Sequence, residues 1–137
     1  METTIFDNDI SVFYVTAGHF PSGIMDAHQK LHSLVPFSPG RKYFGVSRPE
    51  NGVIVYRAGT EELIPGEGKN FGCETLVLKK GKYISETINN YQENIESIAE
   101  TFQSMLTHPG LDPEGYCVEW YFNPSDVKCM IRLEKNV

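Results

Sequence analysis

The chain lacks the features that assign many proteins to a compartment or a polymeric partner. Cysteine is scarce: Cys73, Cys117 and Cys129 are odd in number and never fall in C-x-x-C spacing. That pattern argues against a disulfide framework or a zinc knuckle and leaves the three as reduced core thiols. Positive charge is also short. Twelve Lys and Arg face 18 Asp and Glu, for a net charge of -6, so there is no electrostatic reason for direct nucleic-acid binding or for attraction to an anionic membrane. A cationic partner suits this balance better. No apolar run approaches membrane-spanning length, and the opening METTIFDNDI is acidic, without the basic region of a secretion signal; a cytoplasmic protein is expected. Tryptophan occurs once. The 137 residues suit a single domain, 1–137, which at this size buries roughly two-thirds of the surface its unfolded chain exposes.

Against these absences stands a clear periodicity. ISVFYVTA, Ile10 to Ala17, is β-branched and aromatic and predicts the first strand. Ile24, Ala27, Leu31, Leu34 and Val35 then recur at helical spacing until PFSPG ends the helix. KYFGVS and VIVYRA predict two strands around Asn51 and Gly52, residues that favour hairpin turns. GTEELIPGEGKNFG predicts a loop, and CETLVL and KYISETI two more strands. Tyr91, Ile95, Ile98, Phe102, Met105 and Leu106 line one face of a long helix that Pro109 and Gly110 stop. YCVEWYF and VKCMIRLE close the chain as a hairpin across NPSD. The order is strand, helix, strand, strand, and then the same again. It predicts an α+β fold: two pseudo-repeated modules, about 9–60 and 71–134, forming antiparallel sheet around a central ligand groove.

The segment GYCVEWYF raises one question. A carboxylate, Glu119, interrupts an otherwise apolar and aromatic run. Alternation puts Tyr116, Val118, Trp120 and Phe122 on one strand face and Cys117, Glu119 and Tyr121 on the other. The larger apolar set is expected to pack on a helix, leaving Glu119 and Tyr121 to face the groove. There an unpaired carboxylate costs several kcal/mol in desolvation, which a cationic ligand or a hydrogen-bond network offsets. A solvated glutamate on a half-exposed strand explains the sequence equally well.

The second half resembles the GyrI-like small-molecule-binding domain, the bacterial transcription-activator effector-binding domain. The resemblance rests on Gly81-Lys82-Tyr83 stepping into a strand, a long helix, Glu119-Trp120-Tyr121, the turn at Asn123-Pro124 and a final strand, over about Gly72 to Glu134. It implies two strand-helix-strand-strand modules around a groove, and it matches Glu119 to the family's ligand-facing glutamate, which pairs with cationic aromatic drugs. Regulators of this family carry a helix-turn-helix segment ahead of the domain; here fewer than ten residues precede the first predicted strand, so a stand-alone form is expected.

Three functions fit. The first is a binding module for hydrophobic, cationic or aromatic compounds, serving drug or effector sensing or sequestration. Glu119 supplies the counter-charge, and Tyr121, Tyr43, Trp120, Tyr56 and Cys117 line the site. The second is a hydrolase of reactive cyclopropanoid compounds, an activity the resemblance implies for some stand-alone members, with Glu119 activating water and Tyr121 donating a hydrogen bond to substrate. The third is an interaction or inhibitor module whose sheet face docks a protein partner or a second copy. Other signals carry less. His28 and His32 stand one helical turn apart, with His19 upstream, but no H-E-x-x-H pattern completes a metal site, so they are expected to be surface helix histidines. Cys117 shares a strand face with Glu119, whose charge disfavours a nucleophilic thiolate, so a packing role is expected, and GEGKNFG lacks phosphate-loop spacing. No metal and no cofactor are expected.

Overall fold

The computed structural model describes residues 1–134. Eight strands and three helices follow in the order β1 (Glu2–Phe6), β2 (Ile10–Thr16), α1 (Ile24–Leu34), β3 (Tyr43–Glu50), β4 (Val53–Glu61), α2 (Glu67–Asn70), β5 (Glu74–Leu78), β6 (Gly81–Ile88), α3 (Glu96–Met105), β7 (Cys117–Trp120) and β8 (Val127–Arg132). All eight strands join one antiparallel sheet, ordered β1-β6-β8-β7-β3-β4-β2-β5, which curls into a half-barrel. This is an α+β fold built mostly of sheet. No helix among the described residues is long and apolar enough to cross a membrane.

Strand alternation divides the core between the two faces of the sheet. On the inner, concave face Val12, Phe44, Val46, Tyr83, Val118 and Met130 pack with Phe6, Ile10 and Leu78 into one cluster. On the outer face α1 covers Phe13, Tyr56 and Ala58 with Ala27, Leu31 and Val35, while α3 covers Ile84, Cys129 and Ile131 with Phe102 and Met105. The two helices therefore sit on opposite halves of the same outer face, and β3 and β7 run between them.

Several expectations need correction. The segment before Ile10 contains β1, whose Thr3, Thr4, Ile5 and Phe6 pair with β6 along its free side; the β-branched run was present in the sequence but short. The loop before Cys73 includes the single turn α2. The long helix is interrupted. Tyr91–Glu93 forms a 3-10 turn, Asn94 leaves helical geometry at φ -141, and α3 begins only at Glu96, so Ile95 stands 58% exposed. The largest correction concerns β7. Val118 and Trp120 turn toward the concave interior and not toward a helix, and it is the face bearing Cys117 and Glu119 that lies on the helix side.

Candidate functional site

Glu119 lies midway between α1 and α3. Its register partner on β3 is Gly45, and on β8 it is Cys129. Tyr56, on β4, reaches diagonally across Gly45 so that its hydroxyl donates to Glu119 Oε1 at 2.8 Å. This reach depends on the missing side chain: a Cβ at position 45 would meet Tyr56 Cζ at 2.8 Å and Glu119 Oε1 at 2.5 Å. Tyr121, just past the end of β7, donates to the same oxygen at 2.5 Å. His28, on α1, places Nε2 2.8 Å from Tyr56 Oη. The single phenolic proton of Tyr56 goes to Glu119, so His28 must donate Nε2–H to Tyr56. The result is a chain from His28 through Tyr56 to Glu119, with Tyr121 as a second donor.

Local turns hold the aromatic rings around this chain. Asn123 Oδ1 accepts the amides of Ser125 and Asp126, fixing the β7–β8 connection. That connection in turn accepts the amides of Asn90, at Asp126 Oδ1, and Tyr91, at the Ser125 carbonyl. The Tyr91 ring is thereby set edge-on against Tyr121, with centroids 5.3 Å apart. His28 packs edge-on against both Tyr56 and Tyr121, at 5.8 and 5.4 Å, and Phe20 stacks on Tyr56.

Burial governs the electrostatics. Glu119 is 8% exposed and has no lysine or arginine partner among the described residues. Desolvation raises its carboxyl above the usual range, and the two phenolic hydrogen bonds only partly offset this. Burial and then the adjacent carboxyl push the Tyr56 and Tyr121 phenols up, so both remain donors. Burial, reinforced by His32, pushes His28 down to about 4, which keeps it neutral near pH 7. Glu119 Oε1 takes both hydroxyls. Oε2 has no protein partner among the described residues, yet is not sealed from solvent.

Of the residues expected at the site, Tyr56 and Tyr121 are joined directly to Glu119. Cys117 shares its strand face but packs toward α3, with its thiol raised to about 11 by burial. Tyr43 is buried under the C-terminal end of α1, between His32 and Phe37, and its hydroxyl accepts the Ser38 amide. Trp120 is a correction: it lies on the opposite face from Glu119, against Phe6 and Phe44, with Lys128 Nζ over its ring. Strand alternation forces this separation. His28 is a second correction, since it is no surface histidine but half-buried against Tyr56. Gly45 and Tyr91 are also new. Of the two, Gly45 left the clearer signal in the sequence, as a residue without a side chain inside the predicted strand KYFGVS.

Two open cavities lie elsewhere. The larger, about 230 Å³, opens on the concave side among Arg48, Tyr83, Tyr116, Val118 and Arg132; the smaller, about 110 Å³, adjoins Asn90, Gln92 and Pro124. Glu119 itself is 8% exposed and lines neither cavity.

No family model and no curated protein matches this chain. Among solved structures it is similar to an integron cassette protein from the mobile metagenome of Vibrio cholerae, with a TM-score of 0.70 at 14% identity, covering 97% of this chain and 95% of that one. At that identity the similarity establishes the fold: essentially the whole chain adopts the architecture of the cassette protein.

Proposed function

We propose that this protein binds flat, hydrophobic cations at Glu119, as a GyrI-like effector-binding domain built from two strand-helix-strand-strand repeats. The observation that carries this is a buried carboxylate held by two phenols, with one oxygen left without a protein partner and no lysine or arginine to neutralise it among the described residues. Such a group is costly unless a cation completes it. The surrounding rings of Tyr56, Tyr121, Tyr91, His28 and Phe20 suit a planar cation, each cation-π contact contributing about 0.5 to 2 kcal/mol.

Sheet order supports the repeat. Exchanging β1 to β4 for β5 to β8 reproduces the order β1-β6-β8-β7-β3-β4-β2-β5 read backwards. Phe13 faces Thr60 across β2 and β4 as Ile84 faces Ile131 across β6 and β8, at one common sequence offset. The β3–β7 pair lies at the centre, with Gly45 opposite Glu119.

The test compares two probes of one shape, N-methylquinolinium and neutral 1-methylnaphthalene, against the protein and its Glu119→Gln variant. Loss of the counter-charge should weaken the cation by about tenfold to a hundredfold, equivalent to 1.4 to 2.8 kcal/mol, and leave the neutral probe nearly unchanged. Equal losses for both probes would remove the counter-charge role.

A further inference from the structure

We propose that Glu119 carries a proton until a cation arrives, so that binding is an exchange in which one proton leaves for each cation taken up. This rests on the assignment of Glu119 as a cation site and adds how that site is controlled. The O–H bond on Oε2 breaks, its proton passes to solvent, and the carboxylate left behind faces the cation; no covalent bond forms to the ligand.

The geometry supports exchange in three ways. First, both neighbouring hydroxyls converge on Oε1, so a proton on Oε2 competes with neither. Second, no protein cation is placed to hold the charge in the free state among the described residues, whereas burial penalises an unpaired carboxylate. Third, the groups around Glu119 are poorly suited to give up a proton in its stead. Tyr56 on β4 and Tyr121 beyond β7 are held protonated by burial and by the carboxyl itself. Cys117 on β7 and Cys129 on β8 are raised thiols. His28 on α1 is already neutral near pH 7. The remaining titratable groups stand farther off: Tyr43 and His32 meet each other under the end of α1, Tyr91 touches only the ring of Tyr121, and Glu86 on β6 lies on the far side of Cys129 and bonds Thr101 of α3. Asp26 and Lys30 are exposed on the outer side of α1.

His28 acts here as a positioning residue. Its Nε2–H polarises the Tyr56 hydroxyl, which then donates more strongly to Glu119 and keeps the proton removable.

Calorimetry with N-methylquinolinium, a permanently charged probe, in buffers of different ionisation enthalpy counts the protons. One proton should be released per cation, and affinity should tighten about tenfold per pH unit until Glu119 is ionised in the free protein, then level off. Glu119→Gln should release none and show a flat pH profile. Tight binding with no proton release would overturn the exchange while leaving the cation site intact. Binding at no pH would overturn the cation site itself, and the free protein then decides the protonation state separately. Infrared spectra of glutamate-labelled protein at about pH 6, where an ordinary carboxyl is ionised, should show a protonated carboxyl band that Glu119→Gln removes. Its absence would overturn the proposal.

Discussion

At the scale of single residues, Gly45 and Glu119 form one device. The carboxylate occupies its position because the facing strand has no side chain there, and Tyr56 uses the same gap to deliver its hydroxyl. Gly45→Ala should therefore destabilise by roughly 1 to 3 kcal/mol, as overpacking in a closed core does, and should abolish cation binding by displacing Tyr56. Removing the obstructing hydroxyl should recover part of the loss. In chemical denaturation Gly45→Ala/Tyr56→Phe should cost less than the sum of the two single changes; strict additivity would show that the two positions do not share this space. The glutamate was legible in the sequence as an anomaly in an apolar strand, and alternation correctly grouped it with Cys117 and Tyr121. What a single strand cannot encode is which of its faces the helices cover. Val118, Trp120 and Phe122 form the bulkier set, yet Val118 and Trp120 fill the inside of the curl, because a curled sheet needs a core of its own before any helix is added.

Among the elements, α1 contributes most to the site. Its apolar stripe of Ala27, Leu31 and Val35 was readable from spacing and docks on β2 and β4. The polar residue beside that stripe, His28, was readable only as one of a pair of histidines, since its partner Tyr56 is 28 residues away in sequence. Docking carries a pH dependence with a definite sign. His28 is depressed from 6.5 to about 4 in the folded protein, so the unfolded chain takes up the proton first. Stability is lost as pH falls from 6.5 toward 4, by up to about 3 kcal/mol for a shift of this size. Glu119 works in the opposite sense: its carboxyl is raised on folding, so it removes stability as pH rises from 4.5 through its folded value. His28→Gln keeps a donor for Tyr56 but has no proton to gain. Thermal melts from about pH 7 down to 4.5 should show the wild type losing stability toward acid relative to this variant, across the interval between the two His28 values. Parallel curves would mean that His28 does not titrate between the folded and unfolded states.

For the whole molecule, one antiparallel sheet serves two separate purposes. Its concave face is packed with a nine-residue cluster, and its convex face carries two helices with the β3–β7 pair running between them. The α+β class and the helix-strand order followed from periodicity. The pairings of the edge strands β1 and β5 with β6 and β2 did not, because pairing between distant segments leaves no local pattern. Both faces carry aromatic rings: Tyr56, Tyr121 and His28 on the convex side, Tyr83 and Tyr116 beside the concave cavity. The proposed cation site requires the first. The most direct test is the location of N-methylquinolinium on the protein by intermolecular nuclear Overhauser contacts. They should connect the probe to the rings of Tyr121, Tyr56 and His28, and disappear in Glu119→Gln. Contacts to Tyr83 and Tyr116, unaffected by that substitution, would contradict the account.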